Sequence, residues 1–313
     1  MLSALDGLLN RVTMYRLALY YLIGLLGVAL VLSAAGVVES GPLELLASVA
    51  WLVIVCGAAN WLFARAFDVP ANAESAYISA LILALILDPI RSPGDLWFLG
   101  WAAVLAMGSK YIVALNRKHL FNPVALAVAV TYFTLNRPAS WWVGAPAMLP
   151  FVALGGLLVV RKLGRFDLVL SFVLAALAAV AGLSLLAGQP VGTALQQTLL
   201  SSPLLFVASI ILTEPLTTPP TRRLRVVYGL LVGALSAPQI HLGGFYMTPE
   251  LAILAGNVYA YIVSPKARLI LQLKEKVKLA PDVYDFIFAP ARPMAFAPGQ
   301  YMEWTLGHRG ADS

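Results

Sequence analysis

Two stretches of this sequence carry a carboxylate into apolar surroundings in the same phrase: LILDPIRSP, residues 85–93, and ILTEPLTTP, residues 211–219. Each reads acid, proline, aliphatic residue, one further residue, hydroxyl residue, proline. The acids, Asp88 and Glu214, stand 126 residues apart, as do Pro89 and Pro215, and Pro93 and Pro219. Proline removes an amide donor and disfavours helix in the residue before it, so backbone groups are freed beside each acid. Inside a membrane those groups need a partner, whether another helix, water, an ion or a cofactor. A carboxylate there, with Thr213, Thr217 and Thr218 beside Glu214, has the chemistry to ligate a cation or exchange a proton. The same residues also suit an interfacial helix end, with the acids satisfying loop amides and the threonines capping the next helix. Spacing alone does not separate the two.

The surroundings define the setting. Of 313 residues 60% are hydrophobic and 12% charged, with a mean hydropathy of +0.84, whereas soluble domains carry about 25% charge. The chain therefore reads as an all-α polytopic membrane protein. The net charge of +6 comes in short basic clusters between apolar runs, which suits loops beside anionic lipid rather than nucleic acid. A single cysteine, Cys56, within an apolar run excludes an internal disulfide framework.

Ten apolar segments are predicted, near residues 15–38, 43–66, 75–87, 95–115, 122–135, 145–160, 167–187, 198–213, 224–240 and 249–264. With the N-terminus inside, twelve Lys and Arg, Lys110 among them, fall in inner loops before the tail, and only Arg91 and Arg137 outside. That asymmetry predicts ten spans with both ends in the cytoplasm. The 126-residue offset also sets Phe121-Asn122-Pro123 opposite Met247-Thr248-Pro249. Five spans per half is an odd number, so equivalent segments should cross in opposite directions, giving a 5+5 inverted repeat with broken helices.

Other marked residues are less specific. Lys118 and His119, in the loop NRKHLFNP, would suit a phosphate at a helix N-terminus or act as an inside-positive anchor. Asn60 and Asn257 suit interhelical hydrogen bonds, and Trp97, Trp101, Trp141 and Trp142 suit an aromatic belt at outer span ends. After Pro265 the residues alternate apolar with charged, which predicts strands. Domains are accordingly drawn at 1–265 and 266–313.

Several phrases carry a resemblance. SALILALILDP (79–89), KHLFNPVALAV (118–128) and ILTEPLTTP followed by YGLLVGAL (228–235) resemble the RnfD and NqrB subunits of bacterial ion-motive redox complexes. FAPGQYMEWTL (296–306) resembles early strands of the FAD-binding barrel of ferredoxin-NADP reductase-like enzymes. The resemblance implies a component of a membrane oxidoreductase in the bacterial inner membrane. It would carry flavin, work with other redox subunits or a fused reductase domain and possible quinone, and couple electron flow to Na+ or H+. The ion-coupling candidates are then Asp88 and Glu214, supported by Thr213, Thr217 and Asn122.

Three departures from the family pattern stand out. FMN would be attached as a phosphoester to the threonine of a Ser-Gly-Ala-Thr-type motif, but the aligned triplet is Gly144-Ala145-Pro146, which leaves Ser140 as the nearest substitute. The Thr-Asp-Pro of the second repeat is Thr213-Glu214-Pro215. The tail, about 45 residues, is short of a six-stranded barrel, so it is expected to be the beginning of one, with FAD in the remainder. A secondary transporter or channel with inverted repeats, and a structural anchor for a reductase, are the alternative readings.

Overall fold

The computed structural model describes residues 6–7, 9–115, 118–264, 271–291 and 293. Its helices are α1 (Met14–Ala34), α2 (Pro42–Ala66), α3 (Ala73–Ile86), α4 (Pro93–Ile112), α5 (Pro123–Leu135), α6 (Leu149–Leu163), α7 (Phe166–Leu186), α8 (Val191–Leu200), α9 (Leu204–Ile211), α10 (Arg222–Leu235) and α11 (Pro249–Val263). Among the described residues α1, α2 and α7 are each long and apolar enough to cross a membrane, and the bent pair α8 and α9 adds a fourth candidate. Their outward faces are oily: Ile54, Trp61, Leu170, Leu174 and Leu186 are all exposed. Such a large exposed apolar surface needs a cover, and lipid is the natural one for a multi-pass membrane protein.

The short apolar helices are α3, α5 and α11. At 14, 13 and 15 residues each reaches roughly 20 Å, less than the ~30 Å hydrocarbon layer. Proline explains the starts of two of them: Pro123 and Pro249 occupy the first helical turn, where a missing amide costs nothing. The eighth segment departs from expectation. Helix begins at Val191 rather than near 198 and bends by 55° before Leu204, because Ser201, Ser202 and Pro203 interrupt the ladder. It resumes as α9, most of which is a π-turn, Val207–Ile211.

The two halves repeat their internal packing. In the first, α2 packs against α3 and α4, and α4 against α5; in the second, α7 packs against α8 and α10, and α10 against α11. Equivalent helices also meet across the halves, α1 against α6 and α5 against α11. Even the link before the fifth helix recurs. A two-residue antiparallel ribbon pairs β1 (Ala114–Leu115) with β2 (Lys118–His119), and another pairs β3 (His241–Leu242) with β4 (Phe245–Tyr246). The offset between the ribbons is 127 residues, one more than between the acids.

In the tail, where strands are expected, β5 (Leu271–Ala280) and β6 (Val283–Pro290) form an antiparallel pair, with register shifts at Leu273/Glu275 and Lys278/Ala280. Asp282 turns the corner at φ 61°. The phrase 296–306 lies outside the described residues.

Candidate functional site

The acid of ILTEPLTTP sits at a crossing of the two halves. After α9 the chain makes a run of turns rather than a helix, with the Glu214 amide reaching Ile211 O and the Thr217 amide reaching Glu214 O. This puts the Glu214 side chain against the start of α5. Its Oε2 accepts from Asn122 Nδ2 at 2.9 Å and from Thr217 Oγ1 at 3.0 Å. Its Oε1 meets His119 Nε2 at 3.1 Å. The side chains of Glu214 and His119 are 22% and 9% exposed, so the carboxylate is mostly but not wholly enclosed.

The partners are themselves held. Asn122 caps α5 through its Oδ1, which accepts the Ala125 amide, as a good N-cap side chain does. Its own amide donates to Asn257 Oδ1 at 2.8 Å, and Asn257 Nδ2 donates to the Tyr228 hydroxyl at 3.0 Å. Asn257 and Tyr228 are fully buried. A chain of hydrogen bonds therefore runs His119, Glu214, Asn122, Asn257, Tyr228, drawing on α5, α10, α11 and two loops. Each side chain's orientation is fixed by the next, which satisfies a buried polar group's need for partners.

Lys110 extends this cluster. It lies in the last turn of α4, where the charge pattern predicts an inner-loop cation. Instead its ammonium turns in among the helices, donating to Ser75 O at 3.0 Å, Ser75 Oγ at 2.9 Å and Ser79 Oγ at 3.0 Å. Its positive charge acts on the Glu214 carboxylate.

The matching break in the first half is built differently. Asp88 is exposed and stands apart from Glu214, Asn122, Thr217 and His119, which do converge. The loop after α5 occupies the end of α3: Ser140 Oγ and the Trp141 amide donate to Ile86 O at 3.2 and 2.9 Å, and Trp142 Nε1 donates to Ala84 O and Leu87 O, both at 3.1 Å. The Ile90 amide finds Ser48 Oγ of α2 at 2.8 Å. The carbonyls and amide that proline frees are thus met by protein, not by an ion. This also corrects the aromatic belt: Trp97 and Trp101 are exposed, but Trp141 is 9% exposed and works as a donor inside the core.

Of the remaining sequence candidates, Thr213 is buried and its hydroxyl turns back to Ser209 O at 2.6 Å, so it faces its own helix rather than Glu214. The side chain of Lys118 lies outside the described residues. Two contributors were not anticipated. One is Lys110 as an inward cation. The other is Glu250, 1% exposed at the start of α11, whose Oε2 accepts from Trp141 Nε1 at 3.2 Å; a carboxylate directly after Pro249 in an apolar run was the available signal. Removing that donor should take one hydrogen bond from a buried carboxyl, leaving it only its own amide and Thr248. Trp141→Phe is expected to cost about 1–3 kcal/mol, visible as a lower unfolding midpoint in detergent, while Trp97→Phe should leave the midpoint in place.

Residues 142–266 match the model of the NQR2, RnfD, RnfE family. The match takes in the second half, with Glu214, Thr217, Tyr228 and Asn257, and leaves the first half, with Lys110, His119 and Asn122, outside it. Proteins of this family are generally membrane subunits of ion-translocating electron-transport complexes. No curated protein matches the chain.

Proposed function

We propose that this chain is the membrane subunit of an ion-translocating electron-transport complex, and that Glu214 is the group through which ion movement answers electron movement. The carrying observation is the Glu214 cluster. A mostly enclosed carboxylate is gripped by side chains from both halves, so a change in its charge acts on how the halves pack. Ionisable groups held this way within a membrane protein are functional by default, and the π-turn and proline break beside Glu214 are the irregularities expected near such a site. The reading includes ten crossings arranged as two inverted sets of five, with both ends in the cytoplasm of a bacterial cell.

The residues do not fit a flavin joined through a phosphoester at the position the sequence resemblance implies. Pro146 has no hydroxyl, and at Gly144 an added Cβ would meet main-chain atoms of Ser202 and Pro203 at 2.6 Å, so the loop is wedged against another break. No step through a covalent flavin follows for this chain. The electron path is proposed to run through partner redox subunits or a fused reductase domain, with quinone as a candidate acceptor. Acid-precipitated protein from flavin-replete cells should accordingly leave its yellow colour in the supernatant. Colour retained in the pellet would place a phosphoester on another hydroxyl, Ser140 first.

The coupling role is tested with Glu214→Gln, which keeps the shape and removes the charge. In the assembled complex the variant should transfer electrons at a rate close to the parent's, yet move fewer charges per electron across a proteoliposome membrane. Charge movement equal to the parent's would reduce Glu214 to a helix-break anchor. Asp88→Asn, at the exposed counterpart, should leave both rates unchanged.

A further inference from the structure

A hard monovalent cation in a membrane protein takes a set of oxygens from hydroxyls, carbonyls and a carboxylate. Two hydroxyls and a carbonyl of that kind surround the ammonium of Lys110, whose charge acts on Glu214, so a side chain of the protein fills the place. Ser75 O, Ser75 Oγ and Ser79 Oγ lie 2.9–3.0 Å from the Lys110 ammonium, which has three donors and no acceptor. All three donors are therefore engaged with neutral oxygens, and the positive charge is left for its neighbours to use.

We propose that Lys110 is a tethered cation standing in for a bound alkali ion, and that the species exchanged at Glu214 is a proton rather than Na+. This deepens the coupling role proposed above and rests on it. The groups facing Glu214 include a cation of the protein's own, Lys110. They are His119 from the β2 ribbon, Lys110 from α4, the Tyr228 hydroxyl on α10, and the neutral donors Asn122 and Thr217. A sodium ion brought into this cluster would meet the Lys110 ammonium, and among the described residues no second carboxylate is hydrogen-bonded to it; Glu250 belongs to the other break, on Trp141. A proton adds to the Glu214 carboxylate to give the neutral acid and returns to water along the same exposed edge. It needs no coordination shell. The hydrogen bonds given by Asn122 and Thr217 orient the carboxyl in both states, with the Oε1 edge toward His119.

The oxygens around Lys110 should become a sodium site once the ammonium is removed. Thermal unfolding of the purified chain in detergent is measured in NaCl and in KCl at equal ionic strength, for the parent, Lys110→Met, and Lys110→Met with Glu214→Gln. The parent is expected to unfold at one temperature in both salts. Lys110→Met should be stabilised selectively by Na+, by a few degrees at saturating salt, and the double variant should lose that selectivity.

A parent protein stabilised by Na+ over K+, with the effect lost in Glu214→Gln, would overturn the assignment. So would a folded Lys110→Met that ignores Na+. If Lys110→Met does not fold, the parent decides the matter in proteoliposomes, where charge movement should persist at full rate in sodium-free medium; its loss there overturns the proposal. The salt measurement involves no electron transfer, so its failure is distinct from failure of the coupling role, which Glu214→Gln tests by itself.

Discussion

Gly233→Leu should yield little or no monodisperse protein, and Gly233→Ala a protein that unfolds well below the parent. Helix α10 approaches α7 through a stripe of small residues, Gly229 and Gly233, four apart, so that the backbones nearly touch. A Cβ built at Gly233 would lie 2.3 Å from Phe172 O and 2.9 Å from Ala175 Cβ, and one at Gly229 would lie 2.7 Å from Leu168 O. The obstructing atoms include main-chain carbonyls, which cannot swing away as a side-chain tip can. In lipid, association of helices depends on such close packing because no hydrophobic force separates helix from lipid. Overpacking a tight site costs about 1–3 kcal/mol and sometimes more, and a leucine here would force the helices apart along their length. Size-exclusion recovery and the unfolding midpoint in detergent report the effect. Gly182→Ala on α7, where an added Cβ meets nothing within 4 Å, is the matched control and should be neutral or slightly stabilising.

Breaking the Arg225–Asp167 pair is expected to be nearly as severe. The two side chains are 10% and 9% exposed, with Arg225 Nη2 and Nε at 3.0 and 3.2 Å from Asp167 Oδ2. The same guanidinium donates through Nη1 to Pro220 O at 3.1 Å, so it pins the end of the loop that carries Glu214 onto α7. Arg225→Met leaves a carboxylate buried without its partner, a change that typically costs about 3–5 kcal/mol. The double variant Arg225→Met/Asp167→Leu removes both charges and should recover much of the lost stability, but not the anchoring of Pro220. Unfolding measurements on the parent, both single variants and the double variant separate the two contributions. If the double variant also regains full ion coupling, Pro220 needs no anchor and the loop is held by its own turns.

The doubled acid-proline phrase located both breaks, but the equality it implied between the acids did not carry into three dimensions. Repetition in sequence reports that two segments share the same local helix-breaking residues. It does not report what lies across from them. At the first break the loop 140–142 delivers an indole, a hydroxyl and an amide to the end of α3, and Asp88 is left at the surface. At the second, the N-terminus of α5 and the β2 ribbon bring Asn122 and His119 to Glu214. The different partners come from residues some 55 and 95 positions away, beyond the reach of a local pattern.

The same limit explains Lys110 and Glu250. Charge counting treats a lysine near a helix end as an inner-face marker, because most such side chains extend to water or lipid headgroups. Whether this one turns inward depends on Ser75 and Ser79 lying one helix away. Glu250 similarly reads as a first-turn acid complementing the helix dipole until Trp141 is seen to cover it. The packing stripe was more legible: Gly229 and Gly233 at helical spacing in an apolar segment is a pattern with a mechanism, although the partner helix is not named by it.

By itself, the sequence determined that this is a helical membrane protein and where the two acid-proline breaks fall, because hydropathy and proline are local and additive properties of a chain. Only the tertiary structure decided which of two similar acids is gripped, which lysine serves as an internal cation and which tryptophans leave the surface. Those outcomes depend on contacts between segments far apart in the chain, where an ångström decides whether a donor reaches an acceptor or is left to lipid.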